Sequence, residues 1–499
     1  MDTFLSNFKW GFTGEPQSML IRDGRVVARG PDVEFGQAES VDLEGKWLMP
    51  SFIDEHCHIL PTGLDLQKLH LGLCKTHEEI LDALRDRLPQ VEPGRWLSAV
   101  HYDQTRYASG EHLTRHDLDK ISAKIPIILR HVSGHASIVN SAALKAAGIR
   151  EDEPDFSGGT FRRNASGVVD GVLLEHAHER VSAAAPHPSP DEMVNAIQLA
   201  ASKMAELGIS CASDMMTGRF NLEDELRAYS QAAHNTGVRF RLYIQWSALF
   251  GPRRIDPGKL VEISSSMAPE TCRIAGVKIF ADGAIGSGTA AIYGRYEGDE
   301  KDLVTGATSG SLMYPVAKLN HMVKTAHDAG YQVAIHSIGD YSTDLVMDAL
   351  EATSDPRRHR IEHAMILSDA QIERLAKLGS FVTMQPEFLI RFGHAYLRQL
   401  GTERRSRLKR AKSILGAGVR LCFSSDRPIV AGDPIDGIRT LVSRPEGYDA
   451  FENISPADAW LGYTARAAEA TGDAAVMGSL TPGQFSDFQL LPGDPLAIS

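Results

Sequence analysis

The sequence lacks an excess of basic residues. Lys and Arg number 52 against 64 Asp and Glu, which gives a formal net charge of −12 over 499 residues. Because a protein neutralises phosphate groups with Lys and Arg, this balance argues against binding to nucleic acid or to an anionic membrane. We therefore expect neither kind of partner.

Close-spaced cysteines and long apolar runs are also missing. The five cysteines form no close pairs, which argues against a disulfide framework or a cysteine-based zinc site. No apolar run approaches the roughly 20 residues of a membrane span, and the N-terminus shows no basic start followed by an apolar core. These absences predict a cytoplasmic protein that acts on a small molecule, and they leave a homodimer open.

What the sequence does contain is a series of strand-like apolar runs, several of them preceded by a helix-like stretch that ends in Gly. The runs lie at residues 49–60, 208–215, 238–246, 274–283, 331–340, 359–364, 380–387 and 419–426. Alternating strand–helix units predict a parallel sheet, and about eight units predict an α/β fold of the closed (βα)8 TIM-barrel type. An open doubly wound sheet is the alternative, but no Gly-rich phosphate loop follows the first strand.

Other regions flank and interrupt this alternation. Residues 18–30 place an Asp-Gly pair between two apolar runs, which is typical of a hairpin, and residues 478–494 have similar β character. We predict a small composite β-sandwich domain from residues 1–48 and 467–499, beside a barrel at 49–466. Residues 62–207 do not fit the alternation and are predicted to form a large insertion after the first strand.

Two histidines, His56 and His58, stand at the end of the first predicted strand. Side chains alternate across a strand, so two histidines separated by one residue point to the same face and can bind one metal ion. Strand-end histidines that make ordinary hydrogen bonds are the alternative interpretation.

Other predicted strands also end in residue types that bind metal. Lys278 lies in the fourth strand, His336 and His363 end the fifth and sixth, and Asp426 ends the eighth. Each has an ordinary alternative: a core histidine, a pair of His363 with Glu362, a cap, or a salt-bridged lysine. Because the carboxyl ends of barrel strands converge, their joint placement favours a site for zinc or a similar divalent ion.

The motifs FIDEHCH, GVKIFADG, AIHSIGD, RIEHA and FSSD, in that order, resemble the amidohydrolase superfamily. Within it they are similar to the amidohydrolase-3 branch, which includes N-substituted formamide deformylase-like enzymes. PIILRHVSGHASIVNSAAL and GSLTPGQFSDFQLL also resemble segments of this branch, so the similarity covers nearly the whole chain. The resemblance implies a metal-dependent hydrolase that cleaves a non-peptide carbon–nitrogen bond in an amide, formamide or cyclic amide.

The resemblance also implies roles for the metal-site residues. Its histidine and aspartate ligands would divide into two groups, each holding one ion: His56, His58 and Asp426, and His336 and His363. Lys278, carboxylated by CO2, would bridge the ions, since an ammonium group has no lone pair to donate. A metal-activated water would attack the carbonyl carbon, and Asp426 would carry its proton to the departing nitrogen.

Other reactions are compatible with the same ligands. If Lys278 is not carboxylated, a mononuclear site of His56, His58, His336 and Asp426 stays open, as in the superfamily's deaminases. Isomerases and decarboxylases of the superfamily are further alternatives, because a fold does not determine a reaction. A catalytically silent binding protein on the same scaffold is a remote alternative.

Residues in the motifs and directly after strand ends are candidates for substrate binding. They are His135 and Asn140 in the insertion, and Asp282, Gln385 and Arg427 in the barrel. Arg427 departs from the branch, where a small or aromatic residue usually follows the aspartate of the last strand. We hypothesise that Arg427 either binds an anionic group of the substrate or neutralises acidic neighbours.

Overall fold

The structure, a computed structural model, describes residues 2–34, 36–107, 110–131, 136–156, 159–297 and 308–498. The chain divides into two compact units, Met1–Thr62 together with Ile197–Ser499, and Gly63–Ala196. The first unit holds a barrel and a terminal sheet, and the second unit has a sheet of its own. The predicted domain boundaries at residues 48 and 467 stay predictions.

The barrel is the largest sheet of the described residues, with eight strands that pair in parallel. Numbered along the chain, they are β6 (Phe52–Cys57), β13 (Ile209–Thr217), β14 (Arg239–Gln245), β15 (Cys272–Phe280), β16 (Gln332–Ser337), β17 (Arg360–His363), β18 (Phe381–Met384) and β19 (Arg420–Phe423). The chain directly after β19 returns to β6, where the Asp426 amide donates to the His56 carbonyl at 2.6 Å. The predicted (βα)8 architecture is confirmed.

Helices follow most of the barrel strands. They are α7 (Leu222–Ala233), α8 (Trp246–Leu249), α9 (Pro257–Ser266), α10 (Val316–Asp328), α11 (Asp340–Glu351), α12 (Asp369–Leu378), α13 (Phe388–Arg405), α14 (Ala411–Gly416), α15 (Pro434–Val442), α16 (Pro456–Gly462) and α17 (Ala465–Ala470). Those nearer the N-terminus are α1 (Ile59–Leu66), α2 (His77–Arg87), α3 (Arg115–Asp119), α4 (Ser141–Ala146), α5 (His176–Ala183) and α6 (Pro190–Glu206). Throughout the described ranges, no helix combines the length and the apolar character that crossing a membrane requires.

Helix α12 illustrates how local sequence sets these elements. The Ser368 hydroxyl accepts from the Gln371 amide and the Gln371 side chain accepts from the Ser368 amide, which forms a capping box. The helix ends at Gly379, whose φ of 72° is in the left-handed region that glycine adopts without strain. Between these signals, Ile372 and Leu375 point into the core, so the helix can pack against the barrel by one face.

The two chain termini pair in one mixed sheet. Its strands are β1 (Thr3–Trp10), β2 (Pro16–Arg22), β3 (Arg25–Gly30), β4 (Glu39–Asp42), β5 (Trp47–Pro50) and β20 (Phe488–Leu491), and β20 pairs antiparallel with β5. The predicted hairpin joins β2 to β3 through Asp23 and Gly24, with φ values of 49° and 72°. Positive φ at both central residues is what the tightest hairpin turn needs. The predicted composite β structure from both termini is confirmed.

The second unit has a separate sheet with its own apolar core. In spatial order the strands are β11 (Gly159–Arg163), β12 (Val169–Glu175), β10 (Ala136–Val139), β9 (Ile127–His131), β8 (Leu97–Tyr102) and β7 (Leu69–His70). Leu97, Leu129 and Ile138 belong to one buried cluster of this unit, and Val139 and Phe161 belong to another. Residues from several strands thus share an apolar core, as a folded unit requires.

A pair of buried histidines forms a hydrogen-bonded relay at the amino ends of β16 and β17. His359 Nδ1 accepts from the Val333 amide at 3.0 Å, so the proton of His359 lies on Nε2, which donates to His327 Nδ1 at 2.9 Å. His327 Nε2 in turn donates to the Ser354 hydroxyl at 2.8 Å. Burial, and then the charge of Arg358, lower the pKa of both rings, that of His359 to about 3. Both imidazoles are therefore neutral in the folded protein.

This relay predicts a loss of stability in mild acid. Below about pH 6.5 the unfolded chain protonates these histidines and the folded chain does not, so the free energy of unfolding falls as the pH falls. Each ring lowers the free energy of unfolding by up to about 1.4 kcal/mol for each unit by which the pH falls. We expect His359→Asn to flatten the dependence of Tm on pH between 7 and 5.5. The control is His234→Asn, which replaces an exposed histidine and should keep the wild-type dependence of Tm on pH. An equal pH dependence in both variants would refute the conclusion that His359 is neutral in the folded protein.

Candidate metal centre

The residues predicted to bind metal stand at the carboxyl ends of barrel strands. In strand order they are His56 and His58 at the end of β6, Lys278 in β15, His336 in β16, His363 at the end of β17 and Asp426 after β19. All of them are buried except His336, which is partly buried. The barrel thus collects imidazole, amine and carboxylate groups at one end, where enzymes of this architecture carry their active sites.

Several of these side chains approach closely enough to share an ion. One ligand atom each from His56, His363 and Asp426 lies within 4.8 Å of the other two. Asp426 Oδ1 is 3.5 Å from His56 Nε2 and 2.8 Å from His58 Nε2. The rings of His336 and His363 have centroids 4.5 Å apart. Four imidazoles and one carboxylate therefore converge on a small volume.

Neighbouring acceptors determine which nitrogen each imidazole turns toward the centre. His56 Nδ1 donates to Glu362 at 2.6 Å, and His363 Nδ1 donates to Gln385 Oε1 at 2.7 Å. His336 Nε2 donates to the Gly283 carbonyl at 2.9 Å. Each hydrogen bond fixes the proton on one nitrogen and leaves the lone pair of the other nitrogen free, as metal-binding histidines require.

Glu362 belongs to a buried charge network beneath His56. Arg360 donates to Glu362 at 2.5 Å and to Glu55 at 2.6 Å. Burial opposes the charge of Glu362, but Arg360 and the hydrogen bond from His56 outweigh it and lower the pKa to about 2. The alternative pairing of His363 with Glu362 is wrong, because the carboxylate turns to His56 and His363 turns to Gln385.

The electrostatics of the cluster suit a cation. Burial and the charge of Lys278 lower the pKa of His56 to about 4 and that of His336 to about 3, so both rings are neutral at physiological pH. Burial raises the pKa of Asp426, but the adjacent His56 and His58 more than reverse this effect. Neutral imidazoles beside an ionised carboxylate are the donor set that zinc prefers.

Buried polar atoms without partners test whether a divalent ion fits here. Among the described residues, His58 Nδ1 and Asp426 Oδ1 are buried and make no hydrogen bond. The 2.8 Å approach of His58 Nε2 to Asp426 Oδ1 lies outside hydrogen-bond geometry. Donor atoms that approach closely without bonding each other are expected where they face one ion, and an unpaired buried charge is costly otherwise. The residues present fit a divalent metal.

Lys278 is the least ordinary member of the cluster. Its Nζ is buried without a hydrogen-bond partner in the described chain. Burial lowers the pKa of Lys278 to about 8, although Glu362 and Asp426 oppose the shift. The alternative of a salt-bridged core lysine is thus wrong, because no described carboxylate accepts a hydrogen bond from this ammonium.

Asn140, a candidate for substrate binding, holds its own loop together. Its Oδ1 accepts from the amides of Ile127 and Ala143 at 3.0 and 2.9 Å. Its Nδ2 donates to the carbonyls of Ser122 and Ile125 at 2.7 and 2.9 Å. Both polar atoms are occupied, and Asn140 caps helix α4. This geometry gives Asn140 a structural role.

Asp282 likewise anchors loops. Its carboxylate accepts from the amides of Ile338, Gly339 and Ala291 at 3.0, 2.8 and 3.1 Å, and from the Ser342 hydroxyl at 2.6 Å. These donors oppose the effect of burial, which nevertheless raises the pKa of Asp282 to about 6. With its oxygens committed to backbone segments after β15 and β16, Asp282 positions the rim of the barrel and has little capacity left for a substrate.

The other substrate candidates have different placements. Gln385 accepts from His363 and donates to the Ser424 hydroxyl at 3.0 Å, so it orients a ligand of the centre. Arg427 is buried, donates to the Gly432 carbonyl and lies 3.7 Å from Asp54. This placement favours the neutralising role of Arg427 over binding of a substrate anion.

His135 lies outside the described residues, and its predicted role stays a prediction.

Sequence reasoning missed two features of the site. The first is the Arg360–Glu362 pair, although charged residues inside the short strand RIEH are unusual for a buried position and could have signalled it. The second is Lys409, a fully buried lysine in the loop after α13. It lies in the charged run RLKRAK, which resembles a solvated surface segment, so no local signal distinguishes it.

The chain has the barrel fold of metal-dependent hydrolases, and its buried His/Asp cluster fits a divalent metal. A family model described as the amidohydrolase family matches residues 39–499, so the chain belongs to the amidohydrolase family.

Individual relatives are similar over nearly the whole chain. An N-substituted formamide deformylase of Arthrobacter pascens is 27% identical over 505 residues, covering 96% of this chain and 90% of that protein. The LONG AFTER FAR-RED 3 protein of Arabidopsis thaliana is 30% identical and covers 95% of this chain and 83% of its own length. The crystal structure of a metal-dependent hydrolase from Pyrococcus horikoshii matches with a TM-score of 0.82 and 26% identity, over 100% of this chain and 98% of that one.

The Glu362 contact predicts a change in metal affinity. Glu362→Gln removes the charge that orients His56, and loss of such a supporting contact typically weakens metal binding by about 10- to 100-fold. We expect this loss in competition titrations of zinc against a chromophoric chelator.

Glu225→Gln is the matched control. Glu225 is also a buried carboxylate, in helix α7, but it accepts from the Gly218 and Phe220 amides and, among the described residues, has no hydrogen bond or ion pair with the cluster. Equal zinc affinities in Glu362→Gln and Glu225→Gln would contradict the orienting role.

Proposed function

We propose that this protein is a metal-dependent hydrolase that cleaves a non-peptide carbon–nitrogen bond of a small molecule, namely an amide, formamide or cyclic amide. The observation that carries the proposal is the convergence of His56, His363 and Asp426 at the carboxyl end of the barrel. Family membership supports hydrolysis of this bond class, and the similarity to an N-substituted formamide deformylase makes formamides a natural first choice.

The proposed centre holds one or two divalent ions, most simply zinc. In the binuclear form the ligands divide between the two ions: His56, His58 and Asp426, and His336 and His363. The hydrogen bonds to Glu362, Gln385 and the Gly283 carbonyl leave His56, His363 and His336 each with one nitrogen free to bind an ion. Lys278 completes it if its amine is carboxylated by CO2, since the resulting carbamate oxygens can bind metal where an ammonium cannot.

Bound there, a divalent ion supplies Lewis acidity, lowering the pKa of water and polarising a carbonyl oxygen. Asp426 is the residue placed to move the proton. Its carboxylate is ionised and has an oxygen without a hydrogen bond among the described residues. In the proposed reaction Asp426 accepts a proton from the attacking water and gives it to the leaving nitrogen as the carbon–nitrogen bond breaks. The products are a carboxylic acid and an amine.

Metal stoichiometry tests the proposed centre. We expect about two ions per chain in protein purified without added metal, and fewer in Lys278→Ala, because the bridging group is lost. Elemental analysis of both proteins gives the answer. One ion per chain, unaffected by Lys278→Ala, would favour the mononuclear, deaminase-like site instead. If the protein binds no ion even after reloading with zinc, the proposal that it is a metal-dependent enzyme is refuted.

The role of Asp426 predicts the effect of its removal. Asp426→Asn keeps the shape of the side chain but cannot accept a proton, so we expect kcat on a responsive N-substituted formamide to fall by at least about 100-fold. The zinc content of the variant is measured in parallel. A fall in activity at unchanged zinc content supports proton transfer, and full activity in the variant would contradict it.

A further inference from the structure

A second buried lysine lies close to the candidate metal centre. Lys409 is 1% exposed, and its Nζ has no hydrogen-bond partner in the described chain. Lysine is rarely buried unless its charge is paired, since an ammonium loses its hydration when it leaves water. Neither the proposed ligand set nor the proton transfer at Asp426 accounts for this residue.

The backbone around Lys409 is held in place rather than free to rearrange. Its amide donates to the Met365 carbonyl at 2.8 Å, just beyond His363 on the chain. The Arg444 guanidinium donates to the carbonyls of Lys409 and Leu408, both at 2.8 Å. Lys409 also has a φ of 46°, in the left-handed region of backbone conformation that residues other than glycine rarely adopt. Strain of this kind persists where the surrounding structure enforces it, and it is frequent at functional sites.

Two contacts place the ammonium beside the metal cluster. Lys409 Nζ lies 5.0 Å from the centre of the Phe388 ring. The same ring stacks on the His363 imidazole, with centroids 6.2 Å apart and an interplanar angle of 18°. Burial lowers the pKa of Lys409 to about 7; the charge of Asp426 opposes this shift, and the charge of Arg444 adds to it. The Lys409 amine is therefore within electrostatic reach of two members of the cluster, Asp426 and His363, and an anion bound beside it would favour its charged form.

No carboxylate of the described residues forms an ion pair or hydrogen bond with Lys409 Nζ. Asp426 directs one carboxylate oxygen toward His56 and His58, at 3.5 and 2.8 Å, where the proposed ligands converge. Another buried cation near the strand ends, Arg427, donates to Gly432 and lies 3.7 Å from Asp54. Lys409 has no hydrogen-bond partner among the described residues, and unlike Lys278, which shares this property, it has no part in the proposed ligand set.

We propose that Lys409 binds an anionic group of the substrate, a carboxylate, while the scissile carbon–nitrogen bond lies at the metal centre. This inference rests on the proposed function and narrows the substrate to carboxylate-bearing amides, formamides or cyclic amides. The Lys409 ammonium faces the Phe388 ring, which belongs with Leu408, Tyr396 and Ile366 to one buried apolar cluster. A substrate with an apolar side chain next to its carboxylate fits these surroundings.

Matched substrates test the charge requirement. N-formylphenylalanine and N-formyl-2-phenylethylamine differ by the carboxylate alone. In the zinc-loaded enzyme, Lys409→Met removes the charge at similar length, and we expect kcat/KM for N-formylphenylalanine to fall about 10- to 100-fold, mainly through KM. The value for N-formyl-2-phenylethylamine should not change. Lys409→Arg keeps a cation and should retain part of the preference for the acid.

Equal effects of Lys409→Met on both substrates would overturn the inference and assign Lys409 a structural role. Zinc content controls for the metal centre and should match that of the wild type. Thermal unfolding controls for folding, and the Tm of Lys409→Met should equal or exceed that of the wild type, because the substitution removes an unpaired buried charge.

A direct binding measurement separates this inference from the proposed function. Calorimetry with 3-phenylpropanoate and its alcohol, 3-phenylpropanol, needs no turnover. Weaker binding of 3-phenylpropanoate in Lys409→Met, with no change for the alcohol, supports the anion site even if no formamide is hydrolysed. Unchanged binding of 3-phenylpropanoate means that the carboxylate contacts the metal and not Lys409, which would overturn the inference while leaving the hydrolase intact.

Discussion

The ion pair between Arg360 and Glu362 is the interaction on which the rest of the barrel interior depends. Both side chains are fully buried, and Arg360 also reaches Glu55 on the first barrel strand. Taking these charges out of water costs several kcal/mol per ion, and only close, well-directed hydrogen bonds offset that cost. The network therefore tolerates one arrangement of strands β6 and β17. Because Glu362 also accepts from His56, the same contacts that join the strands orient a metal ligand.

The same desolvation constraint shapes the chemistry at the strand ends. Burial keeps the imidazoles of His56 and His336 neutral, and only neutral imidazoles can donate a lone pair to a metal. It also leaves Lys278 and Lys409 as buried amines without hydrogen-bond partners among the described residues. A chain selected for stability alone would replace such groups with apolar ones. Their presence is better explained by what they bind than by what they contribute to folding.

The positions of the ligands could be predicted from sequence because strand periodicity is local. His56 and His58 share a face through alternation, and the carboxyl ends of parallel strands must meet at one end of a barrel. The orientation of each ring could not be predicted, since it depends on acceptors from distant segments, such as Glu362 for His56 and Gln385 for His363. Asp282 shows the converse limit. Its motif marks the site, but the hydrogen bonds that make it a loop anchor come from residues far along the chain.

Lys409 and Arg427 show why specificity is harder to infer than chemistry. Both are buried cations near the strand ends, and the sequence drew attention only to Arg427, which follows Asp426 directly. In the structure the Arg427 guanidinium donates to the Gly432 carbonyl and lies 3.7 Å from the Asp54 carboxylate. Lys409 Nζ has no hydrogen-bond partner among the described residues, and it lies in a loop that the strand pattern does not mark. The strand–helix repeat of a barrel predicts where the metal ligands lie. Residues that select a substrate lie in loops, whose sequences have no periodic pattern that would predict them. For this chain, charge pairing between buried groups identifies the specificity residue where the motifs do not.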